Sequence, residues 1–214
     1  MKMSIKLWAG VIALCGVGSV SADVILSENF DSGIPGGWSV IDNEGNGMVW
    51  GDLAHCGEPN FAGSGNAACA SSDAFGSADY DTELVTGVMD LSAYTGISLS
   101  LDVNYQNFLN EDFFDIDIST DGGANWDNLL SWNEDHGGFF GLPGEHVMLD
   151  LSAYAMAGVQ IRFHYYNPQT NDFDWYVQID NLLIEGSPLA DIPEPAGILL
   201  VGVGLLALAR VRRR

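Results

Sequence analysis

The chain is 214 residues long and 47% hydrophobic, and its 29 acidic residues outnumber seven Lys and Arg, for a formal charge of −22. Six of the seven basic residues lie in the first six or last five positions, so residues 23–192 set 28 carboxylates against Arg162 alone, a net charge of −27 with histidines neutral. That balance excludes nucleic-acid binding and adhesion to anionic lipid, which need clustered Lys and Arg; it points to a hard cation held by oxygen ligands, or to a solvated acidic surface that keeps an exported protein soluble.

The N-terminus reads as a signal peptide over residues 1–22. Lys2 and Lys6 form a basic segment, Leu7 to Val17 is apolar, and Val20-Ser21-Ala22 supplies the small residues of a cleavage site. Leu14 stands before Cys15, where lipidation needs a small residue, so a lipid anchor is rejected. Residues 23–187 then form one domain, long enough for a single core.

Within that domain the pattern is all-β. Val24 to Leu26 and Trp38 to Ile41 are short β-prone runs parted by a Gly/Pro turn. Residues 42–81, rich in Gly, Ala, Ser, Asn and Asp, read as long loops. Strands follow at Glu83 to Val88, Ile97 to Tyr105, Phe113 to Ser119, Asn128 to Trp132, Glu145 to Leu151, Val159 to Tyr166 and Trp175 to Glu185. From Ile97 to Tyr105 apolar and polar residues alternate, and Phe114 to Ile118 repeats the alternation, so one face of each strand packs on a core. Asp121-Gly122-Gly123 is a hairpin signal. The segment Asp90-Leu91-Ser92-Ala93-Tyr94 recurs as Asp150-Leu151-Ser152-Ala153-Tyr154, each copy leading into an alternating strand. Two copies make no solenoid; they suggest equivalent strands in facing sheets.

Cys56 and Cys69 are the two cysteines left after signal cleavage, and both lie in the loop-rich segment of a chain bound for an oxidising compartment. A disulfide between them is expected. His55, His136, His146 and His164 show no metal-ligand spacing.

The chain ends in Pro193-Glu194-Pro195, an apolar stretch 196–209 and an arginine-rich tail 210–214. Fourteen residues make a helix of about 21 Å, short of a ~30 Å hydrocarbon core, so a transient sorting helix suits the segment better than a permanent anchor. This ending resembles the PEP-CTERM sorting signal of Gram-negative bacteria. The resemblance implies delivery to the membrane peptidase exosortase, transient membrane insertion through the C-terminal helix, and release to the cell surface or extracellular matrix.

The body resembles a second family. Ser27-Glu28-Asn29-Phe30-Asp31, Ile34-Pro35-Gly36-Gly37-Trp38, the hairpin Ile118 to Trp126 and the closing Ile179-Asp180-Asn181 follow the order of MAM-like modules, among them the cleaved-adhesin and choice-of-anchor J domains. The chain departs from that pattern at Gly87, where proline is usual, and at Glu83, where an aromatic is usual. The resemblance implies a two-sheet antiparallel jelly-roll sandwich serving adhesion or carbohydrate binding, often with structural Ca²⁺ tying the first strand to the last. Carried over, Glu28 and Asp31 supply first-strand oxygens, Asp180 a closing-strand oxygen and Asp81 a fourth. The plainer alternative is that Asp31 starts a turn and Asp180 caps a strand.

The leading function is therefore an exported, non-catalytic module that binds a glycan, exopolysaccharide matrix or protein ligand. His136, Phe139 and Phe140, in a glycine-framed loop, are the ligand-contact candidates. A jelly-roll glycoside hydrolase or a purely structural matrix protein are the alternatives. No Gly-x-Ser-x-Gly, His-Glu-x-x-His or phosphate loop is present, and no catalytic residue is assigned.

Overall fold

The computed structural model describes residues 21–76, 78–108, 111–168 and 175–189. Signal-peptide residues 1–20, the motif 193–195, the helix expected at 196–209 and the tail 210–214 lie outside the described residues.

In chain order the elements are β1 (Asp23–Glu28), β2 (Ser39–Asp42), the short helix α1 (Leu53–Cys56), β3 (Ala68–Ser71), β4 (Asp81–Val85), β5 (Met89–Asp90), β6 (Tyr94–Gln106), β7 (Phe113–Ser119), β8 (Asp127–Trp132), β9 (Glu145–Asp150) and, after a 3₁₀ turn at Ser152–Tyr154, β10 (Ala157–Tyr166) and β11 (Tyr176–Pro188). They form two antiparallel sheets packed as a sandwich. One has the order β1-β11-β6-β9, with β3 sharing the β1 edge of β11; the other runs β2-β4-β10-β7-β8, with β5 sharing the β4 edge of β10.

The alternation in the sequence decides which side chains meet between the sheets. Ile97, Leu99, Leu101, Val103 and Tyr105 of β6 face Phe114, Ile116 and Ile118 of β7 and Val159, Ile161, Phe163 and Tyr165 of β10 in one buried core. Burying each such side chain is worth about 1.5–3 kcal/mol, and a one-residue slip in register would turn the whole set outward. In β11 the parity itself changes. Val177 and Ile179 point inward, then Leu182 and Ile184, because the β6 register shifts between Asp180 and Leu183 and Asn181 takes φ 50°. Asn tolerates that left-handed conformation, which is what an inserted bulge residue needs.

Both copies of the repeated segment solve the same corner. Asp90 and Asp150 each accept a 2.9 Å hydrogen bond from the backbone N–H of the serine two residues on, while Leu91 and Leu151 plug the core. The strands that follow, β6 and β10, belong to opposite sheets, as the sequence suggested. The β7–β8 hairpin is likewise built on Asp121, whose carboxylate accepts from Asn125 Nδ2, the Asn125 and Ala124 N–H groups and the Ser119 hydroxyl. Those donors hold it down to about 2.

The segment 42–81, expected to be loop, contains α1 and β3. The Ala-Cys-Ala-Ser of β3 is small and wholly buried on both faces, so it carries no alternation to read. It is a strand because it pairs with β11, Cys69 opposite Gln178. Cys56, at the end of α1, is bonded to Cys69, as expected.

Candidate functional site

Three polar or aromatic clusters stand apart from the core. The first is made by the β11 bulge. Asp180 is 0% exposed although it lies on the outer side of its sheet, because the loop at residues 59–66 folds across it. Its carboxylate accepts from Asn60 Nδ2 (2.9 Å), the Ser64 N–H (3.0 Å) and the Asn181 N–H (2.6 Å), all neutral donors. The same loop reaches the end of β1, where Asp31 Oδ1 accepts from the Asn66 N–H at 3.0 Å. Glycine is required at two of its positions: a Cβ on Gly63 would collide with Asp180 Oδ2, and one on Gly65 with Asp31 Oδ1. Glu28 stands opposite Leu182 and accepts from the Phe30 N–H at 2.7 Å. Glu28, Asp31 and Asp180 thus share one end of the β1–β11 pair, although their oxygens do not all come within 4.8 Å of one another. Asp81 is elsewhere, on β4 of the other sheet, opposite Tyr166.

The second cluster is aromatic. Phe139 is 71% exposed and meets the Phe140 ring edge-on at 4.9 Å; Phe140 in turn meets Trp175 at 5.1 Å and Tyr176 at 5.4 Å, and Trp175 meets Phe108 at 5.8 Å. Phe140 has φ 45°, an outlying conformation for a bulky residue that costs on the order of 1–3 kcal/mol and persists where its surroundings enforce it. Burial, then the charges of Glu58 and Asp135, push the Tyr176 phenol well above its ordinary range, so the cluster borders on acid groups. His136 takes other partners: its ring stacks on Trp132 at 3.5 Å and its Nδ1 lies 2.8 Å from Glu145.

The third cluster was not legible as a site in the sequence. The outward residues of β10, alternating with its core residues, are Gln160, Arg162, His164 and Tyr166. Register brings Glu83 and Asp115 to either side of His164, and Asp117 beside Arg162. Arg162 donates through Nε and Nη2 to Asp117 Oδ2 (3.0 and 2.8 Å) and through Nη1 to Glu83 Oε1 (3.0 Å), while the Trp126 ring covers its guanidinium at 4.6 Å. His164 Nε2 lies 2.7 Å from Asp81 Oδ1. The Tyr166 hydroxyl donates to Asp115 Oδ2 at 3.1 Å, and burial followed by the Asp115 charge pushes that phenol up to about 12.

Comparison with known proteins finds a match for each of two parts of the chain. Residues 23–182 match the Cleaved Adhesin Domain and residues 191–214 the PEP-CTERM protein-sorting motif. Hemagglutinin A of Porphyromonas gingivalis is 40% identical over 70 residues, 31% of this chain and 3% of that protein, so the chain spans only a small part of this curated relative. The K3 cleaved adhesin domain of Lys-gingipain from P. gingivalis W83 superposes with a TM-score of 0.58 at 23% identity, covering 77% of this chain and 99% of that domain. The K1 domain gives 0.57 at 23% identity over 78% and 99%. At that identity the two structures establish a shared fold.

Proposed function

The chain belongs to the Cleaved Adhesin Domain family, and from that membership we propose that this exported module binds a neutral glycan through the rings of Phe139, Phe140 and Trp175. The observation that carries the reading is the exposed Phe139, backed by a strained Phe140 wedged against Trp175 and Tyr176. Interlocked rings form a pre-ordered apolar surface for the C–H face of a sugar, and exposed aromatics held in place are the usual anchors of an interface. A net charge of −27 over residues 23–192 repels anionic polysaccharide, which favours a neutral one.

Ca²⁺ is assigned a structural role at the end of the β1–β11 pair, with Asp180, Asp31 and Glu28 as oxygen ligands and backbone carbonyls or water completing the six to eight it takes. Support comes from Asp180: a wholly buried carboxylate whose hydrogen-bond donors are neutral retains uncompensated charge, and the glycine loop that holds it leaves no room for a side chain. Two measurements test the two assignments. On a glycan array in calcium buffer the protein should bind at least one neutral glycan, and Phe139→Ala should weaken that binding about tenfold or more. EDTA should lower the melting temperature. An array without binding overturns the glycan assignment, and an unchanged melting temperature in EDTA overturns calcium.

The PEP-CTERM motif makes exosortase the expected processing partner. Mass spectrometry of the surface-exposed protein should find a C-terminus upstream of Arg210; an intact Arg214 would contradict this route.

A further inference from the structure

We propose that the outer face of the β4-β10-β7 sheet binds a zinc-class transition metal through His164, Asp115 and Asp117, a site separate from the glycan surface and from the calcium loop. One imidazole nitrogen and two carboxylate oxygens from these residues already lie within 4.8 Å of one another. In a tetrahedral zinc shell, with bonds of about 2.0–2.2 Å, ligand atoms sit about 3.5 Å apart. Asp115 and Asp117 are on one strand, two residues apart, and His164 faces Asp115 across the β10–β7 ladder, so the backbone fixes the set.

Two observations independent of this convergence point to a ligand. Asp115 Oδ1 is buried from solvent and has no hydrogen-bond partner, while its other oxygen is held by Tyr166. A desolvated carboxylate oxygen without a donor is costly, and a cation would satisfy it. The second observation is the 2.7 Å contact of His164 Nε2 with Asp81. An ionised carboxylate only accepts, so Nε2 is the donor there, and in the neutral ring that a metal would bind the lone pair lies on Nδ1. Metal-binding histidines characteristically donate their other ring N–H to a carboxylate in this way. Asp81 is then the positioning residue for the ligand, and Asn128, whose Nδ2 donates to Asp117 Oδ1 at 2.9 Å, positions the third ligand.

Charge decides that the ligand is a cation. Asp81, Glu83, Asp115 and Asp117 meet the single Arg162, leaving −3 on this face with His164 neutral. Arg162 engages Asp117 through Oδ2 and so leaves Oδ1 with a free lone pair beside the Asn128 bond. Imidazole in the shell selects zinc or another late first-row metal over Ca²⁺, which prefers oxygen alone.

The test is isothermal titration of Zn²⁺ into the full chain, stripped with EDTA and then saturated with Ca²⁺ so that all-oxygen sites are filled. One equivalent of Zn²⁺ should bind. His164→Gln and Asp115→Asn should each weaken it by about 100-fold and Asp81→Asn by about 10-fold, with Phe139→Ala unchanged. X-ray absorption at the zinc edge of the unmutated protein should show one imidazole among oxygen ligands, which keeps the assignment testable if a variant misfolds. No zinc uptake in calcium, an absorption spectrum without imidazole, or full uptake in both His164→Gln and Asp115→Asn would each overturn the proposal.

Discussion

Replacing Arg162 with methionine should lower the stability of the domain by about 3–5 kcal/mol, the usual cost of breaking a buried ion pair by removing one partner. The expectation rests on how little solvent reaches the group: Arg162, Glu83 and Asp117 have side chains 17%, 13% and 6% exposed. Methionine keeps most of the aliphatic stem under Trp126, so the loss reports the guanidinium and not the packing. What remains is two carboxylates from neighbouring strands of β10 with no counter-charge, in a domain that has no other Lys or Arg to offer. In urea denaturation monitored in EDTA, so that no metal substitutes for the guanidinium, the midpoint should fall accordingly. For a chain of this size the melting temperature should drop by about 6–20 °C. Adding Glu83→Gln and Asp117→Asn to Arg162→Met should restore most of the loss, because three uncharged side chains leave no stranded charge. A loss below about 1 kcal/mol would rank the bridge with exposed ion pairs and remove this account of the one basic residue.

The Arg162 bridge also shows where sequence reading stops. Period-two alternation reveals that Arg162 and His164 point away from the core, since Ile161, Phe163 and Tyr165 point into it. It does not reveal which strands lie alongside. His164 meets Asp81 across a separation of 83 residues, and only the packing of the whole sheet sets that register. Glu83, where the resembling modules usually carry an aromatic, proves to be one arm of the bridge, so the departure from pattern had a partner no local window contained. The carboxylates expected to surround calcium divide for the same reason. Glu28, Asp31 and Asp180 gather because the first and last strands pair, whereas Asp81 goes with the opposite sheet. The bulge at Asn181 leaves a parity change between Ile179 and Leu182, a sequence signal inside what reads as one strand from Trp175 to Glu185, and it is what places Asp180 under the glycine loop.

That loop supplies the second large effect. Cys56 and Cys69 close it over a separation of 13 residues, and both sulfur-bearing side chains are buried. Converting both to serine should cost about 3 kcal/mol, the loop-closure entropy returned to the unfolded chain. For a domain of this size that is about 6–12 °C in melting temperature. The loss should not be uniform over the structure. The closed segment carries Asn60 and Ser64, which donate to the Asp180 carboxylate, and Gly63, whose N–H donates to Asn60 Oδ1; Gln178 Oε1, which accepts from the Phe61 N–H at 2.7 Å, ties its middle to β11. Freed at Cys56, this segment starts from α1, a single helical turn with no stability of its own, held by the Gly51–Cys69 bridge just before it and by the Leu53 N–H bond to Asn66 Oδ1. Hydrogen exchange should therefore quicken at Gly63 and Ser64 well before it does in β6 or β10. If Asp180 holds calcium, the stabilisation by calcium should shrink in the same variant, because the donors that orient its carboxylate have become mobile. Equal exchange at Gly63 and Ser64 in the parent and the double serine variant would mean that β3 pairing with β11, and not the covalent link, holds the loop in place.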